Sequence, residues 1–450
     1  MSVPGQVAAG LATARPGSSL QASTRELSTA IGAEAYALCA SLYPICRSLT
    51  GEGVRETLRR LREVIPLTIN EVPSGTQAFD WTVPDEWNIR DAYVLDGDGN
   101  RVIDFKASNL HVIGNSAPID AVISRAELLQ HLHTDPTRPD WIPYRHTYYR
   151  HSWGFCAPHR LLENLNEPEY RVRIDSRIEP GSLSYGELLL PGSERGEILI
   201  STHTCHPSLC NDNLSGIAVA ALLARDLAGC DRRFGVRFLF LPATLGPLVW
   251  LSRNEELAAT IRGGLVLAVC GDAGEPTYVR SRHGRALIDR AIEHVFMHSS
   301  PKASIRDFAP TGYDQRQYCS PGFDLPMGGF MRTPNGEYAQ YHTSADNLDV
   351  VRPEGLGDSW RLIRLAIDIL QEDRRYLNLS PKGEPRLGAR GLYADAERLG
   401  LLWILNFSDG RHTLLDIAER SRVPFWTLHE GAHRLRESGL LREVSESVPG

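Results

Sequence analysis

The sequence predicts an α/β protein: a mixed, mostly parallel sheet covered by helices on both faces. Three observations carry this expectation. The apolar runs at 196–201, 238–241 and 265–269 read as strands buried on both faces. Helical stretches at 215–227 and 249–261 separate them, so strands and helices alternate. With 42% hydrophobic residues over 450 positions, the chain can fill the core of such a sheet and still has length for further domains. Sheets of this kind place ligand-binding residues just beyond the carboxyl ends of their strands.

Taken in order, residues 1–28 are rich in Ala, Gly, Ser and Thr, lack the continuous apolar stretch of a secretory signal, and read as a disordered tail. Ala37, Leu38 and Leu42, then Leu58 and Leu61, stand at helical spacing and predict two helices broken near Pro44 and Gly51. Residues 66–144 hold short strand-like runs at 92–95, 101–103 and 110–113, with turn signals at 96–100 and one helix near 125–133. They predict a small inserted β-rich domain. Residues 29–65 and 145–380 then make up the α/β domain. Pro381, Gly383 and Pro385 mark a linker, and helical stretches at 399–407, 414–421 and 426–438 with a wing-like strand at 440–444 outline a winged helix-turn-helix over 381–450.

Charge and cysteine usage exclude several function classes. With 48 basic and 55 acidic side chains the net charge is −7, and residues 381–450 carry ten of each sign. A DNA-reading helix needs surplus positive charge, so nucleic acid is disfavoured as a partner and the C-terminal domain reads as a packing or protein-contact module. The greasy stretch 234–250 is broken by Arg237, Pro242 and Pro247, which argues against a membrane span. Eight scattered cysteines with no CxxC pair fit reduced thiols in a cytoplasmic protein. Self-association is left open.

The chemistry concentrates after the first buried strand, in Ser201-Thr-His203-Thr-Cys205-His206-Pro207-Ser208-Leu209-Cys210-Asn211-Asp212-Asn213-Leu214-Ser215-Gly216. The strand delivers His203 at its end, and a polar loop brings Asp212 to the mouth of a helix. Imidazole and carboxylate suit zinc, which in catalytic sites needs about three protein ligands plus water. Asp272, after the strand near 265, and His342, in Tyr341-His342-Thr343-Ser344-Ala345-Asp346-Asn347, extend the set. Singly, each of these residues has a plain alternative as a surface hydrogen-bonder, a turn or a cap.

In this order the motifs resemble the zinc aminopeptidases with two adjacent metal ions, whose relatives include glutamate carboxypeptidase and the transferrin receptor. The family string runs His-x-Asp, Asn-Asp-x-x-Ser-Gly, Glu-Glu, Asp at a strand end, Ser-Asp-His with Gly-hydrophobic-Pro behind it, then His-Thr. Here its counterparts are His203-x-Cys205, Asn211 to Gly216, Asp272, Gly312-Tyr313-Asp314-Gln315 with Gly322 to Pro326, and His342-Thr343. The flanks at 79–84, 86–93 and 153–156 resemble a bacterial subgroup with an inserted β domain and a C-terminal winged helix, associated with polysaccharide or specialised-metabolite biosynthesis. The resemblance implies one or two zinc ions held by His203, Asp212, Asp272 and His342, with His206 as a further ligand or a supporting group. It also implies a peptide or small amide substrate, for which Arg316 and Tyr341 are candidate contacts.

One expected residue is missing. The family's proton-carrying glutamate falls 29 residues before Asp272, and 272 − 29 lands on Ala243, inside Pro242-Ala243-Thr244-Leu245-Gly246. Alanine can neither ligate nor transfer a proton. The nearby pair Glu255-Glu256 reads as a solvated helix face. Cys205 stands where the family's His-orienting Asp belongs, and Gln315 where it often has His. Three readings follow: a metal-dependent hydrolase whose base is Asp314, Glu337 or the substrate; an acyl or aminoacyl transfer enzyme; or a non-catalytic binding protein on the same fold.

Overall fold

A computed structural model describes residues 20–392 and 395–444. Residues 29–371 make one compact unit, and the chain from Glu372 belongs to another.

The first unit is organised around an eight-stranded sheet. Its strands are β1 (Thr68–Pro73), β2 (Ser182–Leu190), β3 (Glu197–His203), β4 (Gly235–Leu241), β5 (Ile261–Leu267), β6 (Thr277–Val279), β7 (Ser304–Arg306) and β8 (Met327–Met331). They lie in the order β1-β2-β4-β3-β5-β8-β6-β7. The centre, β4-β3-β5-β8, is parallel throughout, while β1, β2 and β6 add antiparallel pairings. Every residue of β4 is buried, as is every residue of β3 after Glu197. This is the signature of a sheet covered on both faces, as the continuous apolar runs predict.

Helices α1 (Leu20–Leu42), α2 (Glu52–Arg62), α3 (Gly216–Ala228), α4 (Leu245–Arg253), α5 (Leu287–Ser299) and α6 (Pro353–Glu372) flank that sheet. The glycine of the Ser215-Gly216 pair has a packing reason. A Cβ there would meet the Asn213 side chain at 2.5 Å and the Leu267 carbonyl at 2.8 Å, so only glycine lets α3 start this close to the end of β5. Arg237, a charge inside an otherwise apolar strand, is matched across three strands. It donates twice to Glu197 on β3, at 2.6 and 2.9 Å, and also to Glu187 on β2.

Several boundaries differ from expectation. Residues 20–28 of the expected tail lie in α1, and residues 1–19 lie outside the described residues. β1, assigned from sequence to the insertion, is an edge strand of the large sheet. It shows only Val72 to the core, so its sequence carries no strong pattern. Conversely, Glu169–Glu179, expected in the α/β domain, lies between Glu86–Leu95 and Ile119–Ser124 in the small antiparallel sheet, with Arg101–Asp104 at the other edge. Its alternating burial, Tyr170, Val172, Ile174 and Ser176 inward, places it over the small-domain core.

The second unit pairs Arg375–Asn378 with Asp409–Thr413 on one side and Leu441–Val444 on the other, together with helices Asp395–Phe407, Leu414–Ser421 and Phe425–Glu437. The winged helix therefore begins before Pro381, and the Pro381 to Pro385 stretch is a loop inside it rather than a linker ahead of it. Among the described residues no helix is long and apolar enough to cross a membrane.

Candidate metal centre

The residues at the end of β3 converge on one carboxylate. His203 Nε2 lies 3.0 Å from Asp212 Oδ1. His342 Nε2 lies 3.0 Å from Asp212 Oδ2, and His206 Nε2 3.7 Å from that same oxygen. His203, His206 and Asp212 offer ligand atoms that all lie within 4.8 Å of one another. Asp212 is fully buried and His203 nearly so.

The electrostatics suit a cation. Burial alone would raise the Asp212 pKa, but the surrounding His206, His203 and His342 imidazoles hold it well below the usual carboxylate range. Burial pushes His206 well below the ordinary imidazole value, which leaves a neutral ring with a free lone pair. A buried carboxylate with imidazole nitrogens at 3.0–3.7 Å is a donor set zinc takes, so the residues present fit the ion the resemblance implies.

Supporting contacts fix the loop. Asp346 accepts from the Asn211 backbone N–H at 2.7 Å, the Asp212 N–H at 3.0 Å and the Tyr338 hydroxyl at 3.1 Å. Buried Arg47 donates to the carbonyls of His206 at 2.7 Å, Pro207 at 2.6 Å and Leu42 at 2.7 Å. Asn213 ties the loop back to β3 by donating to Thr202 Oγ1 and to the His203 carbonyl. Sequence reasoning missed Arg47 and the clamping role of Asp346. Asp346 stood inside the quoted late motif. Arg47 offered no signal, because it acts across 159 residues of chain.

Other expected residues fall elsewhere. Asp272 is not with the histidines. Its carboxylate accepts from Asn211 Nδ2 at 3.0 Å, Thr333 Oγ1 at 2.6 Å and the Gly274 N–H at 2.7 Å. The reason is register: β5 ends at Leu267, so the residue directly after the strand is Ala268, and Asp272 lies past the turn at Val269, where φ is +43°. Glu337 is exposed and ion-paired to Arg306. Asp314 is buried near His203, which burial answers by raising its pKa, and its Oδ1 accepts from the Thr244 N–H at 2.7 Å. Arg316 donates to the Gly312 carbonyl and to Thr244 Oγ1, so it braces the loop after β4 instead of reaching outward. Tyr341 stacks on His342 with ring centroids 4.0 Å apart, and Arg138 donates to its carbonyl.

Ala243 lies just past the end of β4. Ala243 lines a cavity of about 270 Å³ together with Cys205 and His206. The Ala243 N–H donates to Cys205 Sγ at 3.3 Å. Burial pushes the Cys205 thiol up to about 12. Glu255 and Glu256 are exposed, as a solvated face requires.

Comparisons with known proteins agree with this architecture. The family described as Domain of unknown function (DUF4910) matches residues 36–373, and a winged helix-turn-helix matches 374–443. A protein of Clostridium acetobutylicum, provisionally named a polysaccharide biosynthesis protein with an aminopeptidase-like domain, is 45% identical over 425 residues, covering 93% of this chain and 98% of its own. A crystal structure from the same organism, provisionally described as a peptidase, superposes with a TM-score of 0.91 at 46% identity, over 93% of this chain and 98% of that one. A zinc aminopeptidase from Bacillus subtilis shares the fold at 12% identity, with a TM-score of 0.55 over 75% of this chain and 94% of its own.

Proposed function

We propose, from the premise that this chain belongs to the family described as Domain of unknown function (DUF4910), that it is a metal-dependent hydrolase acting on a peptide or small amide bond in a biosynthetic pathway. Its fold is that of the aminopeptidases. The observation that carries the reading is the Asp212 carboxylate enclosed by His203, His206 and His342 at the end of a central parallel strand. A pure scaffold has no use for three imidazoles around one buried carboxylate.

His203, His206, Asp212 and His342 would hold one zinc ion. A second ion has no equivalent support, since the ends of the two neighbouring strands offer Ala243 and Ala268. A zinc ion held by these residues would supply Lewis-acid polarisation of an amide carbonyl. The chain's own residues then do the rest. Asp346 and Arg47 hold the ligands in place, and Tyr341 keeps the His342 ring upright. Asp314, buried behind the Thr244 N–H, is the remaining acidic group of the set that can hold a proton near His203. The alanine at 243 also favours a second reading, in which an acceptor other than water takes the acyl group.

Elemental analysis after gel filtration, followed by a screen of aminoacyl amides and dipeptides, tests the reading. About one zinc per chain and amide hydrolysis that disappears in His203→Ala are expected. A protein without bound metal, and without thermal stabilisation on adding zinc, is instead a binding protein on this fold.

A further inference from the structure

Beside the histidines lies an aromatic cavity that the metal chemistry does not use. Its floor is the site itself, at His206 and Ala243. Its walls are Tyr144 and Tyr148, and its rim is Trp81 and Tyr149. Trp81 and Tyr149 are 40% and 53% exposed, which is unusual for large rings and places them against solvent at the mouth. Their ring centroids are 5.8 Å apart at 59°.

The arrangement is built. Trp81 sits on a two-stranded hairpin, Gln77–Ala78 with Trp81–Thr82, and Tyr149 Oη donates to the Thr82 carbonyl at 3.4 Å. The hairpin tip is anchored by Phe79 against Phe323 at 5.7 Å. Phe79, Tyr149 and Thr244 all have positive φ, at +55°, +65° and +63°. Non-glycine residues held in the left-handed region cost free energy and gather where a ligand is gripped. Here all three stand in the cavity lining or in the hairpin that closes it.

The lining also says what enters. None of the eleven described residues that line the cavity is Asp, Glu, Lys or Arg. A phosphate, a carboxylate or an ammonium would lose its hydration without a partner, which is costly. Aromatic faces give a flat ring stacking surface, and the tyrosine hydroxyls, with Tyr144 and Tyr148 3.4 Å apart, supply a few neutral hydrogen bonds. Burial keeps both hydroxyls protonated.

We infer that this cavity is the substrate subsite and that it takes an uncharged ring carried next to the amide that the metal centre addresses. The inference rests on the hydrolase reading for the bond and on the cavity for the ring. Two sources share that chemistry: an aromatic aminoacyl group and an N-acylated amino sugar.

The test is titration of the zinc-loaded full chain, by ligand-observed NMR, with N-acetylphenylalaninamide, N-acetylglucosamine, aspartic acid α-amide and glucosamine 6-phosphate. At least one of the two neutral ring compounds is expected to bind at least about tenfold more tightly than both charged ones. Trp81→Ala and Tyr149→Ala, each at a solvent-exposed ring, should weaken that binding about tenfold while zinc per chain stays constant. Binding by N-acetylphenylalaninamide alone assigns the aminoacyl source, and by N-acetylglucosamine alone the sugar source. Failure of both ring compounds to bind, or binding unchanged in both variants, overturns the inference. Ring binding without hydrolysis of any amide counts against the hydrolase reading and leaves the subsite standing. Hydrolysis with no preference for rings does the reverse.

Discussion

The ends of adjacent strands in one sheet have opposite characters. The loop after β3 carries His203, His206 and Asp212 and is clamped by Asp346, Arg47 and Asn213. Just past the ends of its neighbours β4 and β5 stand Ala243 and Ala268, whose methyl groups can neither ligate a metal nor carry a proton. The difference teaches that a ligand set and a reaction centre are separable. The end of β3 has donors and supports together, and the flanking ends have neither, on strands that are equally well buried.

The largest test of that contrast removes a donor from the rich end. His203→Ala should take zinc from about one per chain to near zero and abolish amide hydrolysis together with it. Retention of stoichiometric zinc would mean that His206, His342 and Asp212 suffice alone, and that β3 does not dominate.

Refilling the poor ends comes next. Ala243→Glu should restore a proton carrier and raise hydrolysis by about 10²–10⁴-fold. Combined with Ala268→Asp it should add a second zinc per chain. Ala268 is fully buried, so the new carboxylate destabilises the protein unless metal accompanies it. Elemental analysis and melting curves with and without zinc check both points. A double variant that still binds a single ion would show that the two ends diverged in backbone position as well as in side chain.

A smaller effect probes the support. Arg47→Met keeps the volume but removes three hydrogen bonds to carbonyls at and near His206, and should weaken zinc about 10–100-fold, as loss of an outer partner does. Burial lowers the Arg47 pKa to about 10, so the guanidinium is charged at neutral pH and its replacement by an apolar chain also relieves a buried charge. Zinc affinity and chemical stability should therefore move in different directions. A fall in both together would make Arg47 a fold residue with no particular bearing on the loop.

How much of this was legible follows from range. His203, His206 and Asp212 lie within ten residues of one another, on a strand end and its loop, and local sequence shows them. His342 was recognisable only through an ordered set of motifs. Asp272 is set apart from them by its place five positions past the end of β5, beyond the turn at Val269, and strand ends are poorly read from sequence. Glu337 and Arg316 failed for another reason: neighbours distant in sequence, Arg306 and Thr244, had already taken their charge and hydrogen bonds. The small domain's boundary at 144 was wrong because Glu169–Glu179 returns to its sheet from far along the chain, a pairing that no local pattern announces.

The smallest effect expected concerns a buried imidazole elsewhere in the fold. His294, on α5, is buried beside His298 and Arg290. Burial first, then the His298 and Arg290 charges, lowers its pKa from 6.5 to about 3. The native state therefore keeps it neutral while the unfolded chain takes up a proton below pH 6.5, so stability is lost as pH falls from 6.5 toward 3 and is unaffected above 6.5. At pH 5 the loss should be about 1–2 kcal/mol relative to pH 7. Urea midpoints at the two values, for the wild type and for His294→Leu, measure it: the variant should lose most of the difference. Around Asp212 the same burial of rings meets a negative charge, and that carboxylate is what makes the end of β3 a place for a cation.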